Sequence, residues 1–484
     1  MNSNFRDAIP PSELLNRWGL ENSVFDADEA RKEKKLDSVM EFPTWFFEIL
    51  GNKDDLDFVI VTGERGSGKS ALRRSIANHC RTEIGNDILQ GTILCINLDH
   101  DSPNWIKRSK ESGKSIAECF CEEIVEELAI SIFSFVDKDD LKEKLLRDET
   151  YLLERYLLIL KNKKPDEINV MAEKILSTYK KIKLNDEFSG LVTLFTGILG
   201  REVSINETKP QKVEPINDIQ KLINILKKFG FDAVYVLVDE IDEYPETCNN
   251  PDFAAEVIAS ILSNINLLEK DSIGFKFFLP VQVYCRINDA CERLGCEIRY
   301  DRTLHSEPYA LRWNDDDILK ILKKRLMIYS NNKINTFKNF ASDDLAAEID
   351  NLIVKYAYKS PRHLIQLCNR IVRFTARTAN CTDNKITKSV FEEALSDYLK
   401  LCWKIYPENS LQGILEYGRE KFSDAEFSEY FGVSLEDVKR LLNELVSLRA
   451  LKSRMDIHNN NHYKIVDPRL LILLNRENDS ENDW

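Results

Sequence analysis

Histidine is scarce here, with six in 484 residues, and no histidine–carboxylate cluster has the spacing of a metal site. The eleven cysteines are scattered. Cys119 and Cys121 stand one residue apart in a helical pattern and face different ways, and Cys285, Cys291 and Cys296 lack the C-x2-C pairs of zinc sites. They read as reduced, buried thiols of a cytoplasmic protein. No apolar run reaches membrane-spanning length; the longest, residues 191–199, is short and interrupted by Gly197. The opening MNSNFRDAIPPSE has no basic segment followed by an apolar core, so neither a secretory leader nor a membrane partner is expected. A surplus of positive charge is also missing. The net charge of −14 excludes polyanion binding by the whole surface and leaves room only for a local basic site.

What is present is a soluble composition, 43% hydrophobic and 31% charged, and a length that calls for more than one core. Residues 63–70 read Gly63-Glu64-Arg65-Gly66-Ser67-Gly68-Lys69-Ser70. An apolar β-branched run, residues 58–61, precedes them, and Ala71-Leu72-Arg73-Arg74-Ser75-Ile76-Ala77 follows with helical spacing. Strand, glycine loop and helix in that order, with the pattern G-x-x-x-x-G-K-[ST], define a phosphate-binding loop. Glycines let backbone N–H groups curl toward phosphate oxygens, and the helix N-terminus favours an anion. The binding set is therefore Gly63 through Ala71. Lys69 reaches the terminal phosphates of ATP, and Ser70 offers its hydroxyl to Mg2+.

Hydrolysis needs a second element. The apolar run 233–238 ends in Asp239-Glu240-Ile241-Asp242-Glu243. An aspartate at the end of a buried strand is placed to hold Mg2+ opposite Ser70, and Glu240 to polarise the attacking water. Asp242 and Glu243 read as solvated loop. Arg286, shortly after the strand 275–279, and Arg362, in Ser360-Pro361-Arg362-His363-Leu364, are candidates for contacting the γ-phosphate. Arg299 and Arg302 are candidates for reaching a neighbouring subunit.

Along the chain, residues 1–50 form an N-terminal arm in which the charge run 26–37 reads as a solvated helix. Phe42-Pro43-Thr44-Trp45-Phe46-Phe47 reads either as packing or as a wall for a base. Residues 51–300 read as an α/β domain with strands at 92–98, 233–238 and 275–279, and a further one at 309–311. A helical insertion spans about 102–220, where Ile116, Phe120, Ile124, Leu128 and Ile132 mark one face. Residues 301–404 read as a helical lid. Residues 405–475 carry a helix over 411–422, an N-cap signature at Ser423-Asp424-Ala425-Glu426, a turn at Gly432, a helix over 435–448 and a hairpin, the order of a winged helix. Two uses stand for that module, duplex DNA through Lys439, Arg440, Lys452 and Arg454, or a protein partner, since acidic residues outnumber basic ones there. Residues 476–484 read as a disordered tail.

GERGSGKS, VLVDEID and SPRHL, in that order, resemble the AAA+-related ATPases of the origin-recognition and STAND type. A bacterial group of stand-alone P-loop ATPases looks closer still, sharing an arginine after the fourth strand, here Arg286, and a Leu-x-Trp near the lid, here Leu311-Arg312-Trp313. The resemblance covers about 50–100 and 230–400. It implies a five-stranded parallel sheet, a helical lid carrying the Pro-Arg pair, a C-terminal winged helix, ATP hydrolysis with Mg2+, and homo-oligomers. It also implies an effector partner in antiphage defence or, alternatively, replication-type DNA loading.

Overall fold

The structure is a computed structural model. It describes residues 9–51, 56, 58–80, 92–99, 104–135, 144–161, 214–298, 307–379, 384–402, 406, 408–456 and 461–481. Arg299, Arg302 and residues 191–199 lie outside them. The chain divides into two compact units, one of Phe42–Gly63 and Leu72–Ala310, the other of Met1–Glu41, Glu64–Ala71 and Leu311–Trp484.

The first unit is built on a five-stranded sheet of β1 (Val59–Gly63), β2 (Thr92–Leu98), β3 (Phe231–Val238), β4 (Ile273–Pro280) and β5 (Tyr309–Ala310), in the order β2-β3-β4-β1-β5. Every neighbouring pair is parallel. β1 and β4 are buried along their whole length, and β3 everywhere but Asp232. Strands covered on both faces lose the alternation of a half-exposed sheet and read as continuous apolar runs, which is why VIVTG and FDAVYVLV stand out. One polar residue breaks the run. Lys276 of β4 is fully buried, with its Nζ 4.1 Å above the Tyr235 ring. Gly274 makes room there, since a Cβ would come 2.9 Å from Tyr235.

Strand order fixes where a ligand can sit. The chain leaves β1 for the far edge, returns through β3 and β4, then crosses β1 to form β5. The connections after β1 and after β4 thus run in opposite directions, and Gly63 is paired with Pro280 at the carboxyl ends of the two strands. Crevices outside such a switch point are the ligand sites of open parallel sheets. Between β2 and β3 the chain is helical where described, at Trp105–Ser112, Ile116–Phe135, Arg147–Lys161 and Pro215–Lys228. Phe120, Ile124, Leu128 and Ile132 are fully buried along one face of the longest helix, and Ile116 packs against the same core.

In the second unit, the helices Asp315–Tyr329, Ile349–Ala357, Pro361–Thr378 and Lys388–Cys402 follow one another. Asn314 opens the first with a capping box to Asp317, and Ser360 caps the third with proline at its first position. The arm packs on them through Trp18, which stacks on Phe340 with centroids 4.4 Å apart. The charge run 26–37 is not the continuous helix expected. It forms a turn of 3-10 helix at Ala30–Lys32 and a single helical turn at Leu36–Val39. The cause is Glu33, which is buried and bound to Arg325 and Tyr329 while its Oε1 accepts from the backbone of Lys35 at 3.0 Å. Such a side-chain bond competes with helical hydrogen bonding.

The C-terminal part has the helices Glu408–Tyr417, Asp424–Phe431 and Leu435–Ser447 and an antiparallel sheet β6-β8-β7, with β6 at Lys421–Ser423, β7 at Leu451–Met455 and β8 at Asn461–Ile465. The expected helix over 411–422 stops early because Gly418 turns the chain at φ 72°, and Lys421–Ser423 then pairs with β8. Ser423 forms the anticipated capping box with Glu426, and Gly432 ends that helix at φ 65°. The last helix, Pro468–Glu481, continues through most of the stretch read as a disordered tail; no glycine or proline after Pro468 interrupts it.

Candidate functional site

The glycine loop belongs to the unit that also contains the helices of residues 315–402. Gly66 and Gly68 adopt φ of 83° and 99°, conformations that L side chains rarely enter. Ser67 N donates to Glu64 O at 3.1 Å, closing the turn, and Lys69 Nζ donates to the same carbonyl at 3.1 Å. Ser70 and Ala71 lie in the first turn of the helix Lys69–His79, and Arg65 is exposed.

Four distant residues grip this loop. Trp313, of the Leu-x-Trp motif, donates from Nε1 to Ser67 O at 2.7 Å. Ser360 Oγ and the backbone N–H of Arg362 donate to Gly66 O at 3.3 and 3.4 Å. Arg449 Nε lies 2.6 Å from Glu64 Oε1. Burial raises the Glu64 carboxyl above its usual range, and the Arg449 charge opposes that shift. Next to Arg362, the half-buried His363 imidazole is pushed down to about 3 by desolvation, with the Arg469 and Arg362 charges adding to it, and is therefore neutral. Tyr358 O–H donates to Arg449 O at 2.8 Å, tying the end of the helix Ile349–Ala357 to the turn before β7.

At the carboxyl edge of the sheet stand Asp239 and Glu240. Asp239 is buried, and its backbone N–H continues the β2–β3 pairing by donating to Leu98 O at 3.0 Å. Its Oδ1 accepts from Glu240 N at 2.9 Å, and Arg73 Nε is 3.3 Å from its Oδ2. Arg73 Nη1 also donates to Asp99 Oδ2 at 2.8 Å, at the end of β2. Glu240 is half-buried and sits at φ 59°, a left-handed conformation that a glutamate enters only against about 1–2 kcal/mol. Strain of this kind collects at working sites. Arg286 is engaged elsewhere, donating to Gln282 O at 2.7 Å and lying 3.5 Å from Asp252. Phe42 and Phe46 of the aromatic segment pack edge-on against His79.

The sequence reading assigned no role to Trp313, Arg449 or Arg73. Arg73 carries a local signal, since it stands one helical turn after Lys69. For Arg449, far along the chain from Glu64, there is none.

No family model matches the chain, and no curated protein sequence does. Solved structures that match include the ADP form of the ORC2 protein of Aeropyrum pernix, at 10% identity and a TM-score of 0.39 over 94% of this chain and 97% of that one. A likeness at that level leaves the functional reading to rest on the residues themselves. Among the described residues no helix is long and apolar enough to cross a membrane.

Proposed function

We propose that the chain is an Mg2+-dependent ATPase that works as a nucleotide-driven conformational switch. The observation that carries this reading is the strained Glu240 after a buried Asp239, at the sheet edge where β1 runs into the glycine loop. The residues fit the ligand. Positive-φ glycines form a cradle in which a Cβ on Gly66 would meet Ser360 and Arg362, and a helix N-terminus follows. The loop amides and Lys69 bind the phosphates, Ser70 and Asp239 hold the cation, Glu240 takes the proton of the attacking water, and Arg362 contacts the γ-phosphate. Bound Mg2+ supplies charge neutralisation on the phosphate oxygens.

Phosphate release with wild type, Lys69→Ala and Glu240→Gln tests this. Lys69→Ala abolishes nucleotide binding, whereas Glu240→Gln keeps binding and stops turnover, because the amide keeps the shape and removes the base. Wild-type turnover in Glu240→Gln refutes the assignment. A switch that binds without hydrolysing gives binding with no phosphate release in the wild type.

The Glu64–Arg449 and Ser360–Gly66 contacts supply the coupling path, since a ligand that changes the loop changes what the lid and the C-terminal module touch. We read that module as a winged helix and the working form as a homo-oligomer. The resemblance of its motifs to STAND-type ATPases supports a role in antiphage defence beside an effector protein. The second reading, replication-type DNA loading, draws on β7, where Lys452 and Arg454 are exposed. Against it, Lys439 and Lys464 stand 3.6 Å from Asp424 and Glu420. Duplex binding at two salt concentrations separates the two, since phosphate contacts give a salt slope.

A further inference from the structure

We infer that Arg73 is a positioning residue for the proposed site, holding the Asp239 carboxylate in place and setting how tightly the divalent cation binds. The inference rests on the ATPase reading. Its basis is a buried three-group cluster at the carboxyl ends of β2 and β3. The Arg73, Asp99 and Asp239 side chains are exposed by only 9%, 7% and 1%. Arg73 Nη1 takes Asp99 at 2.8 Å and Asn97 Oδ1 at 3.3 Å, while Nε faces Asp239 at 3.3 Å. A planar guanidinium can face two carboxylates at once in a fixed geometry, which a lysine ammonium cannot do.

Two features separate this from a merely structural ion pair. A buried pair is a poor source of stability, because desolvation offsets the attraction, so packing alone would be served by an apolar residue. Arg73 also feels three carboxylates, Asp99, Asp239 and Glu240, together. Lys69 and Arg73 stand four apart on the helix Lys69–His79, on one face. The helix that opens at the phosphate loop therefore also carries the residue that fixes the acidic edge. Oδ1 of Asp239 accepts from Glu240 N at 2.9 Å, and Arg73 Nε faces Oδ2 at 3.3 Å.

The experiment uses the full chain with ADP and Mn2+ as a spin probe, free Mn2+ being read by electron paramagnetic resonance, and steady-state turnover with ATP at saturating Mn2+. In Arg73→Gln a competing cation is gone. Mn2+ binds more tightly by about tenfold, the order that losing one nearby unit charge gives a divalent ion even under water-like screening. Turnover falls despite the tighter metal. Arg73→Lys keeps the charge and loses the fork, so Mn2+ affinity stays within about threefold of wild type while turnover falls. If Arg73→Gln does not fold, Arg73→Gln with Asp99→Asn removes one charge of each sign and still leaves Asp239 without its guanidinium; turnover falls at a melting temperature near that of wild type. Unchanged Mn2+ affinity in Arg73→Gln, or wild-type turnover in Arg73→Lys or the double variant, overturns the inference. Absence of ADP-dependent Mn2+ binding in the wild type would instead overturn the ATPase reading beneath it.

Discussion

Gly66→Ala tests the loop geometry most directly. At φ 83° an L-residue is strained by about 1–2 kcal/mol whatever its surroundings. Here the surroundings add to it, since the new Cβ would lie 3.0 Å from Ser360 Oγ and 3.1 Å from Arg362 Cβ. Neither neighbour yields freely. Ser360 caps the helix Pro361–Thr378 and accepts from His363 N, and displacing such a cap loses about 1 kcal/mol. Together the loop conformation is disfavoured by about 2–3 kcal/mol, which corresponds to nucleotide affinity about 30- to 150-fold weaker. Titration of a fluorescent ADP analogue measures this, with a thermal melt to show that the sheet unit is intact. Affinity within threefold of wild type would refute both the positive φ at Gly66 and its packing against Ser360 and Arg362.

Other consequences can be checked by denaturation. His363 stays neutral in the folded chain down to about pH 3, whereas an unfolded histidine binds a proton near 6.5. The unfolded state holds more protons in that window, so stability falls by about 1.4 kcal/mol per pH unit from pH 6.5 toward 3 on account of this residue. His363→Phe should flatten that part of the profile, and an unchanged slope counts against a half-buried neutral imidazole. Glu33 and Arg325 are each 4% exposed. Glu33→Gln strands a buried guanidinium and should destabilise by about 3–5 kcal/mol in urea unfolding, with Glu33→Leu plus Arg325→Met regaining most of it. A loss under 1 kcal/mol in the single variant would show that the pair is solvated.

Elements covered on both faces were easy to read. β3 is an apolar run from Ala233, β4 is one apart from Lys276, and β5, Tyr309–Ala310, falls within the strand expected at 309–311. Caps were legible too, since Ser423 and Glu426 act within one turn. The failures share a cause. Hydrophobic periodicity says which face is buried and nothing about which segments meet. Residues 26–37 have helical composition, yet Glu33 is claimed by Arg325 from far along the chain. The helix expected over 411–422 ignored Gly418, whose positive φ ends it. Of the candidate site, the loop, Asp239, Glu240 and Arg362 carry local motifs. Trp313 stands in the Leu-x-Trp motif and Arg73 one turn after Lys69, but their partners, like that of Arg449, are set only by the folded chain.

The grip on the glycine loop also orders events in time. Glu64–Ala71 belongs to a unit completed only by Leu311–Trp484. On a ribosome, roughly ten to eighty seconds pass between synthesis of the loop and of the residues that grip it. Through that interval β1 exists, but Trp313, Ser360, Arg362 and Arg449 do not, and their contacts with the loop are missing. A nascent or prematurely terminated chain therefore lacks a finished phosphate cradle. Competence arrives with the last third of the polypeptide, so the fold withholds its proposed activity from incomplete copies of itself.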